Sequence, residues 1–311
     1  MKTALLTGAS GFLGKSIIKQ LSSEFSVFSL SRTSGNFLFS LEHQIPLFDT
    51  SFDLVIHAAG KAHSVPKTEE EKRQFYDVNV LGTQNLLKGL EASGIPKQFV
   101  FISSVSVYGQ EEGFNIVEDS LLAAKDAYGL SKIEAEALLQ KWCAQHNVVC
   151  TILRLPLLVG ENPPGNLGAM HRGIAKGYYF NIGGGTAQKS MLLTEDVANF
   201  IPKIATRGGT YNLTDGFHPT FFELSCAIAK QLKKSRPLNM PLIIAKTIGL
   251  MGDFLGSKVP INSLKLKKIT ADLTFDDSKA RAKGWQSRSV LEWYKNKYNY
   301  PRVGEVLISA S

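Results

Sequence analysis

Several things are scarce in this chain of 311 residues, and each scarcity excludes a class of protein. Cysteine occurs three times, at Cys143, Cys150 and Cys226. The number is odd and the spacings match no metal site. Neither a disulfide framework nor a bound metal is expected, and the composition suits a reduced cytoplasmic interior. Long apolar runs are also missing. The longest, Pro241 to Leu255, is interrupted by Lys246 and Asp253 and falls short of the roughly 20 residues that a bilayer span needs. It reads as a buried or interfacial helix, with contact at a membrane surface as the lesser alternative. Lys2 runs directly into TALLTG, a core-strand pattern, so no basic segment leads into a removable apolar one. Acidic residues are outnumbered, 27 against 35 basic, for a net charge of +8. The cations are scattered, and the densest run, Lys265-Leu266-Lys267-Lys268, has no aromatic partners for stacking. Nucleic acid is therefore not the expected partner, whereas a positive field that draws small anions inward fits the excess.

What is present is an ordinary globular composition, 44% hydrophobic and 20% charged, in a chain long enough to bury a large core. The first half alternates short apolar runs with amphipathic stretches. TALLTG, FSVFSLS (25–31), the weaker NFLFSL, DLVIHAAG (53–60), QFVFISS (98–104) and VVCTILRLP read as strands. Lys15 to Ser22, Lys72 to Ser93 and Tyr128 to His146 read as helices. DLVIHAAG is apolar throughout, as a strand buried on both faces must be. Strands alternating with helices predict an α/β fold with a doubly wound parallel sheet. After Pro156 the rhythm breaks at Pro163-Pro164-Gly165 and again at Gly183-Gly184-Gly185. The expected organisation is a sheet domain over residues 1–160, with return segments near 190–214 (MLLTEDVANFI and TYNLT). A smaller C-terminal lobe takes 161–189 and 215–311.

Thr7-Gly8-Ala9-Ser10-Gly11-Phe12-Leu13-Gly14 follows the first strand and opens the first helix. Glycines at 8, 11 and 14 permit a tight turn, close backbone approach to a pyrophosphate, and close helix–strand packing. The helix N-terminus then presents free N–H groups and a positive dipole end to the phosphates. The strand–turn–helix context makes this a dinucleotide loop of the Rossmann kind, with Gly8, Ser10, Gly11, Phe12, Leu13 and Gly14 as cofactor contacts. The second strand ends in Ser31-Arg32 instead of an acid. An arginine there suits the 2′-phosphate of NADP, so NADP is favoured over NAD, the alternative being that Arg32 is a solvated loop residue or stacks on adenine. Gly183-Gly184-Gly185 lacks a strand–helix junction and reads as a plain turn. Trp142 and Trp285 read as packing residues, and His57 as a structural member of its strand end.

Tyr128-Gly129-Leu130-Ser131-Lys132 sets a tyrosine and a lysine one helical turn apart on one face. A phenol titrates near 10. A neighbouring ammonium, together with the charge of an oxidised nicotinamide, favours the phenolate and makes Tyr128 a usable acid/base near neutrality. Ser104, at the end of its strand, could hold the reacting oxygen.

These motifs resemble the extended short-chain dehydrogenase/reductase family, the nucleotide-sugar epimerases, dehydratases and reductases, over nearly the whole chain. TGASGFLG resembles its glycine motif, DLVIHAAG its fourth strand, FISSVSVYG its active-site strand and YGLSK its Tyr–Lys pair. DVNVLGTQNLL carries Asn79 where the family has a structural asparagine. GGGTAQKSMLLTEDVA resembles its return segment and DDSKARAKGW a C-terminal motif. The resemblance implies Tyr128 as acid/base, Lys132 on the nicotinamide ribose and Ser104 on the reacting oxygen. Ala58, Ala59 and Gly60 would line the cofactor, with Asn79 and Leu155 counted among its contacts. Lys61, His63 and Ser106 would sit near the sugar, Asn166 and Leu167 near the diphosphate, and Phe180 and Ile182 beside the base. Lys189 stands where many members have an arginine on the diphosphate. It keeps the charge but loses the bidentate fork.

Departures narrow the choice within the family. Its dehydratases carry an Asp-Glu pair where this chain has Val105-Ser106, and many epimerases an asparagine where it has Leu157. HAAGKAH and PGNLGAM look like reductases and epimerases of surface-polysaccharide pathways. The leading expectation is reduction of a 4-keto sugar on UDP. The alternatives are a UDP-sugar 4-epimerase with retained NAD, and a non-catalytic NADP(H)-binding sensor or partner module. The long helices at 72–93 and 128–146 resemble those that pair in family dimers, so a homodimer is expected. The stretch between Leu41 and Asp53 is too short for the usual helix, which leaves the adenine contacts, Leu41 or Asp49, open.

Overall fold

The computed structural model describes residues 1–62, 66–255 and 263–299. In chain order, β1 (Lys2–Thr7), α1 (Phe12–Leu21), β2 (Phe25–Ser31), β3 (Phe37–Leu38) and β4 (Leu54–His57) lead into α2 (Glu69–Tyr76). A π-turn at Asp77–Leu81 joins α2 to α3 (Gly82–Ser93) without leaving the helical path. Then come β5 (Gln98–Ser104), a 3₁₀ turn at Val105–Tyr108, β6 (Gly113–Ile116), α4 (Ala127–His146), β7 (Val149–Leu155) and β8 (Leu157–Val159). α5 (Gly165–Lys176), β9 (Phe180–Ile182), β10 (Met191–Leu193), α6 (Thr194–Ile204), β11 (Gly209–Asn212) and α7 (Phe221–Gln231) follow. The last described elements are β12 (Leu238–Met240), α8 (Leu242–Leu255), α9 (Ser263–Thr270), β13 (Leu273–Phe275), α10 (Ser278–Arg281) and α11 (Val290–Asn299).

Seven strands form one parallel sheet in the order β11-β7-β5-β4-β1-β2-β3. The order reverses at β1, so a crevice opens at the C-terminal ends of β1 and β4, where ligands of such sheets bind. Alternation along each strand divides the core in two. Ala4, Leu6, Leu54, Ile56, Val100 and Leu153 point one way, against Leu13, Ile17, Val197 and Ile201 of α1 and α6. Leu5, Val55, Phe99, Phe101 and Ile152 point the other way, against Leu86, Leu90, Ala135 and Leu139 of α3 and α4. Burial of both faces explains the unbroken apolar runs.

The helix ends follow local chemistry. Thr68 accepts from the Glu71 N–H at 3.1 Å, and Glu69, Glu70 and Glu71 complement the positive end of α2. Asp126 accepts from the Gly129 N–H at 3.1 Å and so fixes where α4 begins, and thus where Tyr128 lies. Thr220 and Glu223 form a capping box on α7.

Several expectations are adjusted. Lys72 to Ser93 is one helical path but carries the π-turn. NFLFSL shortens to the two residues of β3, because Phe39 to Asp53 runs as turn and coil, with Leu41 buried and Asp49 exposed. MLLTEDVANFI divides. Met191–Leu193 pairs with β8 outside the main sheet, and Thr194 onward is α6. TYNLT does return to the main sheet, as β11. Gly183–Gly185 is a tight turn with φ of 57°, 80° and 65°. The small lobe has its own core, where Leu167, Met170 and Ile174 of α5 meet Leu224 and Ile228 of α7 and Val290 and Tyr294 of α11. Trp142 and Trp285 are buried, with their indole N–H groups donating to Glu91 and the Thr214 carbonyl. Among the described residues no helix is long and apolar enough to cross a membrane.

Candidate functional site

The glycine loop is built for contact. Gly8 has φ +74°, and a Cβ there would lie 2.6 Å from the Ala59 nitrogen. A Cβ at Gly14 would lie 2.1 Å from the Gly8 carbonyl oxygen, so the α1–β1 approach forbids any side chain. Gly11 caps α1 with no side-chain hydrogen bond, and the first turn holds no acid. The N–H groups of that turn therefore face outward with the dipole behind them, the donor set a dinucleotide diphosphate requires. The residues present fit that group.

Behind the loop runs a chain of hydrogen bonds that assigns every proton. The Thr83 hydroxyl donates to the Asn79 carbonyl at 2.6 Å, so its oxygen accepts from His57 Nε2–H at 2.9 Å. His57 Nδ1 then accepts from the Thr7 hydroxyl at 2.6 Å, and Thr7 Oγ1 accepts from the Ala59 N–H at 3.1 Å. Burial, aided by the Lys132 charge, pushes the His57 pKa down to about 3, so the ring stays neutral. His57 is a strut between β1, β4 and α3. It holds the Ala58–Gly60 turn against the glycine loop.

Asn79 lies in the π-turn, a distortion that recurs at functional sites because it re-aims a side chain. Its oxygen accepts from the Lys61 N–H at 2.7 Å, and its amide donates to the Lys61 carbonyl at 3.2 Å and to Ser131 Oγ at 2.9 Å. Asn79 thus staples the turn after β4 to α4, and its own polar atoms are engaged by the protein.

At the end of β5, Ser104 Oγ accepts from the Ser106 N–H and donates to Ser106 Oγ, both at 3.1 Å. The Tyr128 hydroxyl is within hydrogen-bonding reach of the same Ser104 side chain. One turn further along α4, Lys132 Nζ donates to the Ile102 carbonyl at 2.9 Å and lies 4.6 Å over the Phe101 ring. A Cβ added at Gly60 would come within 3.3 Å of that Nζ, so lysine and cofactor-side turn are adjacent. Burial pulls the Lys132 pKa down to about 8 against the opposing attraction of Glu136. The sequence suggests a depressed Tyr128. That expectation includes the charge of an oxidised nicotinamide; from the protein alone, burial raises the Tyr128 pKa, Asp126 adds to the rise, and the Ser104 hydrogen bond opposes both. The phenol is therefore protonated at neutral pH.

The remaining candidates divide by exposure. Arg32, 71% exposed, reaches Glu42 at 3.5 Å just past Ser31, the last residue of β2. Leu155 and Leu167 are buried in the two cores. Asn166 is exposed at the start of α5. The Lys61 ammonium donates to Gln74 at 2.7 Å. Phe180 is exposed and Ile182 half-buried on β9. Lys189 is half-buried, and burial lowers its pKa against the pull of Asp272. His63 lies outside the described residues.

Sequence reasoning passed over a buried polar cluster beneath the Tyr–Lys pair. Arg154 donates through Nη2 to Glu136 at 2.7 Å, and through Nη1 to the Tyr108 hydroxyl at 3.1 Å and the Glu118 carbonyl at 2.9 Å. Ser103 also donates to Glu136, and Tyr108 donates to Asn212 at 2.7 Å. Glu136 is one helical turn past Lys132, so the spacing that marked Tyr128–Lys132 extends to it.

Residues 4–214 match the profile of the family described as NAD dependent epimerase/dehydratase. The N-acetyl-α-D-glucosaminyl-diphospho-ditrans,octacis-undecaprenol 4-epimerase of Escherichia coli O157:H7 is 30% identical over 304 residues, covering 90% of this chain and 89% of its own. The UDP-glucose 4-epimerase of Vibrio cholerae is 29% identical over 316 residues, covering 94% and 92%. Among solved structures, RMD from Pseudomonas aeruginosa complexed with NADPH superimposes with a TM-score of 0.71 at 21% identity, over 96% of this chain and 99% of that one, a likeness of fold. With the parallel sheet, the glycine loop and the YGLSK helix all inside the matched span, the chain belongs to the NAD-dependent epimerase/dehydratase family of extended short-chain dehydrogenases/reductases.

Proposed function

We propose that the chain exchanges a hydride with C4 of a sugar carried on a diphosphate, with Tyr128 as the acid/base. The observation that carries this is the meeting of Tyr128 and Ser104 at the C-terminal end of β5, one helical turn from Lys132 and beside the Gly60 turn. The nicotinamide dinucleotide supplies the hydride when bound. The α1 N-terminus and the Gly8–Gly14 loop hold its diphosphate, Lys132 its ribose, and the turn at Ala58–Gly60 its flank. Ser104 orients the reacting oxygen, and Tyr128 gives or takes the proton at that oxygen.

Two near-full-length relatives are named as sugar 4-epimerases, which supports epimerisation at C4. Net reduction of a 4-keto UDP-sugar is the second reading. Arg32 favours it, as a guanidinium suited to the NADP 2′-phosphate. The dimer belongs to the same reading, with the exposed Tyr76 of α2 and Leu130 of α4 on the faces that would pair. The test is to denature purified protein and identify the released dinucleotide by mass spectrometry, then assay UDP-hexoses and 4-keto UDP-sugars. Stoichiometric NAD with C4 inversion supports the epimerase. NADPH-dependent loss of the ketone supports the reductase. No dinucleotide bound or consumed, with no change at C4, rejects both.

A further inference from the structure

α8 is turned inside out. Its buried stripe consists of small residues, Ala245, Gly249 and Gly252. Among the described side chains, Ile243 is 80% and Ile244 51% exposed, with Leu242 and Leu250 also open to solvent and Ile248 half-buried. A helix that only closed the lobe would bury its largest side chains. The exposed strip continues onto the neighbouring strand pair. β12 and β9 run parallel with Leu238 opposite Phe180, both exposed, and a Cβ at Gly183 would touch Leu242 at 3.7 Å. A contiguous exposed apolar surface of this kind marks an interaction site.

The charge around the strip selects the occupant. Residues 224–252 contain no aspartate or glutamate and five cations, Lys230, Lys233, Lys234, Arg236 and Lys246. All five are exposed, as the strip is; Lys230 lies in the last turn of α7. A second copy docked symmetrically would set these cations against their own images. An anionic bilayer surface complements both features, taking the isoleucines into the headgroup–acyl boundary and the lysines onto its phosphates. At 14 residues, α8 is about 21 Å long, too short for a ~30 Å hydrocarbon layer, so it lies in the plane.

We propose that the exposed face of α8, with Leu238 and Phe180 beside it, docks this protein on an anionic lipid bilayer. Docking itself is independent of the reaction. Only its consequence rests on the proposed function: β9, the segment assigned to the far end of the substrate, would then open at the membrane, where a sugar diphosphate with a lipid carrier is presented.

The test is sedimentation of the full chain with vesicles of phosphatidylcholine alone and of phosphatidylcholine with about one-third phosphatidylglycerol. The wild type is expected to pellet with the anionic vesicles and to be released by salt. The double variant Ile243→Ser/Ile244→Ser is expected to bind at least about ten-fold more weakly, since each isoleucine loses its apolar burial. Its turnover of a water-soluble substrate should be unchanged. Lys234→Glu/Lys246→Glu, a second surface variant, should weaken binding to anionic vesicles alone. Failure of the wild type to bind anionic vesicles overturns the proposal, as does equal binding by the isoleucine variant. A dimer that the isoleucine variant abolishes, without vesicle binding, assigns the face to a second copy instead.

Discussion

The side-chain amide of Asn79 donates to Ser131 Oγ at 2.9 Å while its oxygen accepts from the Lys61 N–H at 2.7 Å. One buried side chain therefore ties the cofactor-side turn after β4 to the helix that carries Tyr128 and Lys132. Asn79→Ala should cost about 1–3 kcal/mol, because it orphans buried polar partners. It should also weaken dinucleotide binding, read by denaturant unfolding alongside cofactor titration. Unfolding that is unchanged would mean the staple adds no net stability.

Tyr128→Phe removes the proton at the reacting oxygen and nothing that holds the dinucleotide. Turnover should fall about a hundred- to ten-thousand-fold, with dinucleotide affinity kept within about three-fold. Near-normal turnover on the correct sugar would remove Tyr128 from the chemistry.

The ion pair between Arg154 and Glu136 is almost fully enclosed, at 6% and 4% side-chain exposure. Arg154→Met leaves the Glu136 carboxylate buried beside Ser103 without its partner. The expected loss is about 3–5 kcal/mol of stability, measured by equilibrium unfolding. A near-neutral result would mean that Glu136 takes up a proton on losing its partner.

His57 sets a pH dependence. Its folded pKa, about 3, lies below the unfolded value of 6.5. Between these values the unfolded chain binds more protons, so stability is complete above 6.5 and falls as pH drops toward 3. The slope contributed is about 1.4 kcal/mol per pH unit. In His57→Gln this part of the acid-side slope should vanish, whatever the variant's stability at neutral pH.

Arg32 is the residue proposed to select between NADP and NAD. Arg32→Ser should weaken NADPH about ten-fold through loss of one charge-assisted contact and leave NADH unchanged. Equal effects on both dinucleotides would make Arg32 a general surface charge.

Much of this was legible in the sequence because the signals were local. The glycine loop, the buried β4 run and the Tyr–Lys spacing each depend on neighbours within one or two turns. The doubly wound sheet follows from their alternation. What was not legible depends on distant partners. Glu136, Arg154, Ser103 and Tyr108 come from α4, β7, β5 and the turn after it, and nothing in one segment announces that they meet. The π-turn at Asp77–Leu81 is invisible to a helical period that continues through it. The orientation of α8, read from its sequence only as a buried or interfacial helix, was open for a different reason. Its apolar composition suggested burial, but glycine and alanine occupy the inward stripe, and a hydrophobic run does not say which residues face in.

The most direct test of hydride exchange at C4 uses reduced nicotinamide dinucleotide deuterated at its transferable position, with a 4-keto UDP-sugar as acceptor. Any dinucleotide the protein retains is first stripped and replaced by the deuterated reduced form, so the test is independent of whether the natural reaction is epimerisation or reduction. The account predicts deuterium at sugar C4 with wild-type protein and almost none with Tyr128→Phe. No deuterium at C4 with the wild type, or deuterium at another carbon, would contradict it.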